Sequence, residues 1–253
     1  MAAADNPRQG TLVLVPNALD FGSPEAAGLG AHLPLAVIQR AATLTHWVVE
    51  NAKTARAFLK RVAQVAPLSA PLQALAMVEL QRSPPGAAEL SALLRPAQDG
   101  HDIGLLSEAG LAAVADPGAA LVAHAHALGL VVDPLPGASS LMLALAASGL
   151  NGQHFAFVGY LPVPDDVRAA RIRELDAWSK RSGQTQIAIE TPYRNSALFA
   201  ALLKHLAPST RLSVACAIGW PVGWCRTLAI SQWRQAVPSL DDRLPAVYLF
   251  HAA

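Results

Sequence analysis

The feature that most constrains this chain is the alternation of short apolar, strand-like runs with longer amphipathic runs along most of its length. "TLVLVP" (residues 11–16) is followed by an amphipathic stretch at 32–44 and then by "HWVVE" (46–50). Helical spacing returns at 52–65, where Ala55, Phe58, Leu59 and Val62 stand three and four residues apart. Alternating strand and helix patterns of this kind predict an α/β fold.

The same reading carries through the middle of the chain. "DIGLLS" (102–107) predicts a strand, 117–128 a helix, "LVVDPLP" (130–136) a strand and 138–147 an apolar helix. The Pro- and Ala-rich stretch at 67–85 receives no strand, and a helix is expected at 87–94. Gly149-Leu150-Asn151-Gly152 closes this part, after which the alternation restarts with "FAFVGYLP" (155–162). A long helix at 165–181, "QIAIETP" (186–192), a helix at 196–206, "RLSVACAI" (211–218), "CRTLAI" (225–230) and "AVYLF" (246–250) follow. Two α/β domains are therefore expected, an N-terminal one over residues 1–152 and a C-terminal one over 153–253.

Composition narrows the partners. At 253 residues, 53% hydrophobic and 15% charged, the chain can bury full cores. Its 19 Lys and Arg against 18 Asp and Glu leave a formal charge of +1, so no global field draws in nucleic acid or an anionic membrane, and any such partner has to meet a local patch. The opening "MAAADNPRQG" lacks the apolar core of a secretory leader, and "LMLALAASGL" is too short to span a bilayer. A cytoplasmic protein with no membrane association is expected. Cys216 and Cys225 read as reduced structural thiols. His124 and His126, two apart on an expected helix, point to different faces, and no metal is expected.

Open α/β sheets bind ligands beyond the carboxyl ends of their strands. Four strand ends carry unusual residues. "SEAG" (107–110) has small residues that let a ligand approach the backbone, with Glu108 able to accept hydroxyl hydrogen bonds; an ordinary strand-to-helix turn reads the same way. Asp116-Pro117-Gly118 has a favoured N-cap and a favoured first helical residue, and also offers helix N–H groups to an anion. Pro136-Gly137 in "PLPGASS" makes a tight turn. "ETPYR" (190–194) releases charged and aromatic groups at the end of an apolar strand. No dinucleotide glycine loop, P-loop, zinc-protease helix or serine nucleophile elbow is present.

Taken in order, "SEAGLAAVADPG", "VVDPLPGASS", "LAASGL" and "FAFVGYLP" resemble the tetrapyrrole-methylase superfamily of S-adenosylmethionine-dependent methyltransferases, most closely its branch that 2′-O-methylates a cytidine ribose of small-subunit ribosomal RNA. The resemblance is dense over 102–162, with weaker matches at "GTLVLVP", "VVEN" and "ETPYR". It implies two α/β domains with S-adenosylmethionine in the cleft between them, and a homodimer. Carried over by position, Ser107, Glu108, Ala109, Val114, Ala115 and Asp116 line the cofactor, Pro136 and Gly137 shape its floor, and Thr191 and Pro192 approach from the second domain, with Pro245 and Ala246 as a weaker match. The acceptor is then held for in-line attack and, if it is a hydroxyl, gives up a proton.

The sequence departs from that branch at four places. "PNALDFG" stands where the branch has T-P-I-G-N-L, and Glu50-Asn51-Ala52-Lys53 where it has E-D-T-R. Asp165 and Asp166 replace a basic cluster, and "CAIGWPVG" replaces R-E-L-T-K. Glu50, Lys53, Glu190 and Arg194 remain as catalytic candidates toward the acceptor, each also readable as a surface charge or cap. Residues 165–181 carry five basic and four acidic side chains, a solvated face, with Ile172, Leu175 and Trp178 as the expected buried side. For RNA, the helix after "VVEN" offers Lys53, Arg56, Lys60 and Arg61. Two other functions fit the same chain: methyl transfer to a tetrapyrrole or other small acceptor, and a diverged cofactor-binding protein without turnover.

Overall fold

The computed structural model describes residues 9–20, 28–80, 85–235 and 238–252. Residues 1–8 of the polar opening, Phe21 and Gly22 of the stretch after the first strand, and residues 81–84 of the Pro-rich segment lie outside the described residues. The chain divides into two compact units, residues 1–139 and 140–253.

The first unit runs β1 (Thr11–Val15), α1 (Leu35–Thr43), β2 (His46–Val49), α2 (Ala52–Ala63), β3 (Ala76–Glu79), α3 (Ala87–Gln98), β4 (Ile103–Leu106), α4 (Ala119–Ala127) and β5 (Val131–Pro134). Its sheet has the order β3-β2-β4-β1-β5, and every neighbouring pair is parallel. Successive side chains of a strand point to opposite faces. Accordingly Val13, Val15, Trp47 and Val49 pack with α1 and α2, while Leu12, Val48, Ile103 and Leu105 pack with α3 and α4. Gly104 lets the Trp47 ring lie against β4, because a Cβ there would fall 2.6 Å from two ring carbons. The strand β3 falls inside the Pro-rich stretch to which the sequence assigns none. Its residues are mostly exposed at the sheet edge and leave no apolar alternation to read.

The second unit runs α5 (Ser140–Ser148), β6 (Phe155–Tyr160), α6 (Asp165–Ser182), β7 (Thr185–Glu190), α7 (Asn195–His205), β8 (Arg211–Cys216), β9 (Trp224–Ala229), α8 (Ile230–Trp233) and β10 (Ala246–His251). Here the order is β6-β7-β10-β8-β9, with β6 parallel to β7 and the other pairs antiparallel. One face packs Ala188, Val214, Tyr248 and Phe250 against α6 and α7. The other packs Ile187, Ala215, Val247 and Leu249 against Leu141, Ala144 and Leu145 of α5. The division between units therefore precedes α5, whereas the glycines that suggest a boundary near residue 152 follow it.

Helix α6 buries Ala169, Ile172, Leu175 and Ser179, and Trp178 is 48% exposed rather than part of the buried side. The reason lies in the neighbouring turn: Trp178 Nε1 donates to Gln184 at the surface (3.2 Å), and the Arg181 guanidinium lies 5.6 Å from its ring. Among the described residues no helix is long and apolar enough to cross a membrane.

Candidate functional site

In the first unit the carboxyl ends of the central strands gather most of the expected residues. The chain leaves β4 at Ser107, whose neighbours on either side are the ends of β1 and β2. Glu50, one residue past β2, accepts a hydrogen bond from the Glu108 backbone N–H through Oε2 (3.0 Å), and its own N–H donates to the Leu106 carbonyl (3.1 Å). Asn17, two residues past β1, donates from Nδ2 to the carbonyls of Ser107 (3.1 Å) and Glu108 (2.8 Å). The loop at 107–110 is thus held from both sides by side chains of the flanking strands.

The following segment turns back in an unusual backbone conformation. Ala113 and Ala115 adopt φ of 64° and 63°, and Gly110 and Gly118 φ of 73° and 133°. Left-handed alanines carry a steric cost that the surroundings must hold in place. Ala113 is closely packed against Gly118, where a Cβ would lie 3.2 Å from it and 2.9 Å from Leu105. Val114 and Ala115 are exposed.

Asp116 is not the helix cap that its sequence position suggests. Helix α4 begins at Ala119, its N-cap is Gly118, and no side chain caps it. After the two positive-φ alanines, Asp116 lies half-buried, close enough to Glu50, Glu108 and Ser107 to feel each of them. Burial first, then the Glu50 charge and more weakly that of Glu108, raise its carboxyl from 3.8 to about 7, against an opposing effect of the Ser107 hydroxyl. Ser107 is 3% exposed, and its Oγ has no hydrogen-bond partner of normal geometry. The buried Ser107 hydroxyl thus has the Asp116 carboxyl as its polar neighbour.

At the end of β5, Gly137 permits a close approach of its turn to β1. A Cβ there would fall 2.3 Å from Pro16 Cβ. Pro136 beside it is exposed. Lys53 lies outside this gathering. It is exposed in the first turn of α2, where Asn51 is the N-cap and accepts from the N–H groups of Lys53 (2.9 Å) and Thr54 (3.2 Å).

In the second unit the remaining expected residues share one end of the sheet, since Ala246 pairs with Glu190 in the antiparallel register of β10 and β7. The Glu190 side chain is 1% exposed, and Arg194 donates to it at 2.7 Å. Its other oxygen accepts from the Thr191 N–H (2.8 Å) and hydroxyl (3.2 Å). Pro192 opens the short turn between β7 and α7, and the Pro245 carbonyl accepts from Ala217 N–H (2.8 Å). Glu190 and Arg194 thus satisfy each other at the root of a turn. Among the described residues no group of three or more His, Cys, Asp or Glu side chains is placed to hold a metal ion.

Sequence reasoning missed Asn17 and the Asp20–Arg61 pair. Arg61 is bidentate to Asp20, at 3.0 and 2.7 Å, and Asp20 is 2% exposed, so Arg61 leaves the basic patch expected on α2. A signal for Asn17 existed: it is the one polar residue between Pro16 and Ala18-Leu19, directly after a strand buried in mid-sheet.

The family model of tetrapyrrole (corrin/porphyrin) methylases matches residues 26–223. Ribosomal RNA small subunit methyltransferase I of Pseudomonas aeruginosa is 39% identical over 97 residues, which are 38% of this chain and 33% of that protein. The protein of the same name from Synechocystis sp. is 35% identical over 123 residues, 49% of this chain and 43% of that protein. The matched stretch spans less than half of either relative's length. Among solved structures, a uroporphyrin-III C-methyltransferase of Thermus thermophilus complexed with S-adenosylhomocysteine superposes with a TM-score of 0.56 at 17% identity, covering 96% of this chain and 97% of that one. The methyltransferase CobJ superposes at 0.55 and 19% identity, covering 96% and 95%. These likenesses carry the fold, and the family match over most of the sequence carries the lineage: the chain belongs to the tetrapyrrole (corrin/porphyrin) methylases, a family of S-adenosylmethionine-dependent methyltransferases.

Proposed function

We propose that this protein transfers a methyl group from S-adenosylmethionine to a ribose 2′-hydroxyl of small-subunit ribosomal RNA, as a homodimer. The observation that carries the cofactor half is the strand end at Ser107: a backbone clamped from both sides, a buried hydroxyl beside the Asp116 carboxyl, and small residues along 109–115. These features fit a small amphipathic ligand that needs close walls and few polar contacts. S-adenosylmethionine supplies, when bound, a methyl group already activated on a positively charged sulfur. Ser107, Glu108, Ala109, Val114, Ala115 and Asp116 are proposed to hold it, with Pro136 and Gly137 shaping the floor. Glu50 and Glu108, whose charges raise the Asp116 carboxyl, set up a negative potential that suits a cation. Thr191, Pro192, Pro245 and Ala246 remain proposed cofactor contacts through the family resemblance.

The RNA half is supported by the relatives named ribosomal RNA small subunit methyltransferase I. On this reading Lys53 and Arg56, exposed on α2, meet phosphate. Glu190 and Arg194, bound to each other, are proposed to shape the turn beside the acceptor rather than to exchange protons with it.

A second reading, methyl transfer to a small acceptor, is favoured by the α6 segment. Arg168 there is committed to the Val163 carbonyl (3.0 Å) and to Asp165, and Arg171 to Glu174 (2.8 Å), so two of its five basic side chains are already partnered within the helix and its entry.

The test is to map 2′-O-methylation of small-subunit ribosomal RNA in a strain lacking the gene. One missing ribose methyl group is expected, restored by the parent gene. An unchanged pattern removes RNA as the acceptor. Calorimetry with S-adenosylmethionine checks the cofactor independently, and no binding at millimolar concentration removes methyl transfer altogether. Sedimentation of the purified protein checks the homodimer.

A further inference from the structure

We propose that Asn17 is a positioning residue for the cofactor loop: its carboxamide orients the 107–110 backbone and so sets cofactor affinity without touching the cofactor. The proposal rests on the reading that Ser107 and its neighbours hold S-adenosylmethionine.

Asn17 is 7% exposed, and its carboxamide is fully used. Both Nδ2 hydrogens are spent on the loop, on the Ser107 carbonyl (3.1 Å) and the Glu108 carbonyl (2.8 Å). Its Oδ1 accepts from the Ala18 N–H (2.8 Å), which fixes the carboxamide the right way round. Its backbone N–H donates to the Gly110 carbonyl (2.9 Å), forming an isolated bridge. Three of the four carbonyls of residues 107–110 therefore turn toward Asn17. The opposite side of the loop is drawn the other way, since Glu50 takes the Glu108 N–H at 3.0 Å.

A peptide plane held at both its carbonyl and its N–H edges has little rotational freedom. The plane joining Ser107 to Glu108 is held so, by Asn17 on the Ser107 carbonyl and by Glu50 on the Glu108 N–H. That plane adjoins the Ser107 side chain, whose buried Oγ lies beside the Asp116 carboxyl. The clamp thus fixes the backbone that carries the Ser107 hydroxyl and occupies the two carbonyls nearest to it. Pre-organisation of this kind raises affinity by removing ordering costs at the moment of binding. Only an amide does this here. Aspartate has the same shape but no donor, and would set a carboxylate oxygen against two carbonyl oxygens.

The experiment compares the parent with N17D by calorimetric titration with S-adenosylhomocysteine, hydrogen exchange at residues 107–110 and thermal unfolding. Two lost hydrogen bonds predict affinity weaker by roughly tenfold or more in the folded variant, with faster exchange confined to the loop. In methyl transfer to the substrate found active, KM for the cofactor rises while kcat at saturating cofactor stays within about twofold, a split that a merely structural role does not produce. If N17D does not fold, N17S, which keeps an acceptor for the Ala18 N–H but not the double donor, takes its place with the same expectation. Unchanged affinity in a folded variant overturns the role of Asn17 and leaves the cofactor reading standing. A parent that binds no S-adenosylhomocysteine overturns both.

Discussion

Asp116 shows how a single residue changes meaning between sequence and structure. As a helix cap it would be ionised and solvated. Placed instead beside Glu50 and Glu108, its carboxyl is raised to about 7, chiefly by burial. The folded state therefore holds this proton up to a higher pH than the unfolded chain does, and the linked stability is lost as pH rises from about 4 to about 7. Asp116→Asn removes that dependence. Urea unfolding of parent and variant is expected to give similar midpoints near pH 4, a gap in favour of the variant that opens up to pH 7, and a constant gap above it. Parallel midpoints across that range would place Asp116 in solvent.

At the scale of elements, the turns after the strands carry the information, and two substitutions test how tightly they are built. Gly137→Ala drives a Cβ to 2.3 Å from the Pro16 ring, which has no flexible end to yield. The turn after β5 has to lift from β1, with an expected loss of about 1–3 kcal/mol in chemical denaturation. Arg194→Ala leaves the Glu190 carboxylate buried with only its Thr191 hydrogen bonds. A loss of about 3 kcal/mol is expected. Adding Glu190→Gln should recover part of it, because the uncompensated charge rather than the missing side chain is the cost. A full loss in the double variant would assign the effect to packing.

At the scale of the whole molecule the near-balance of charge, +1 overall, means that the RNA acceptor proposed above would have to be met by a local patch. With Arg61 bound to Asp20, that patch shrinks to the exposed Lys53, Arg56 and Lys60 of α2. Lys53→Glu combined with Arg56→Glu is expected to lower methyl transfer to small ribosomal subunits by at least about tenfold and to keep cofactor affinity, since phosphate contacts supply most non-specific binding. Equal transfer by variant and parent would remove α2 from the RNA surface.

The sequence by itself determined the alternating strands and helices, the family motifs and the order in which strand ends follow one another. Those properties are local: apolar periodicity and turn residues act over a few neighbours, and "SEAGLAAVADPG" or "ETPYR" reads the same in any context. Edge strand β3 escaped because an exposed edge writes no apolar alternation, and α5 read as part of the first domain because what it packs on, Val247 and Leu249 among others, lies a hundred residues further on. Only the tertiary structure decided what the polar residues do. It turned Asp116 from a cap into a half-buried acid, made Glu190 and Arg194 partners, spent Arg61 on Asp20, and brought Asn17 to a loop ninety residues away in the chain. A polar side chain has its role set by the partner it meets, and partners distant in sequence meet only when the sheet that carries them has closed.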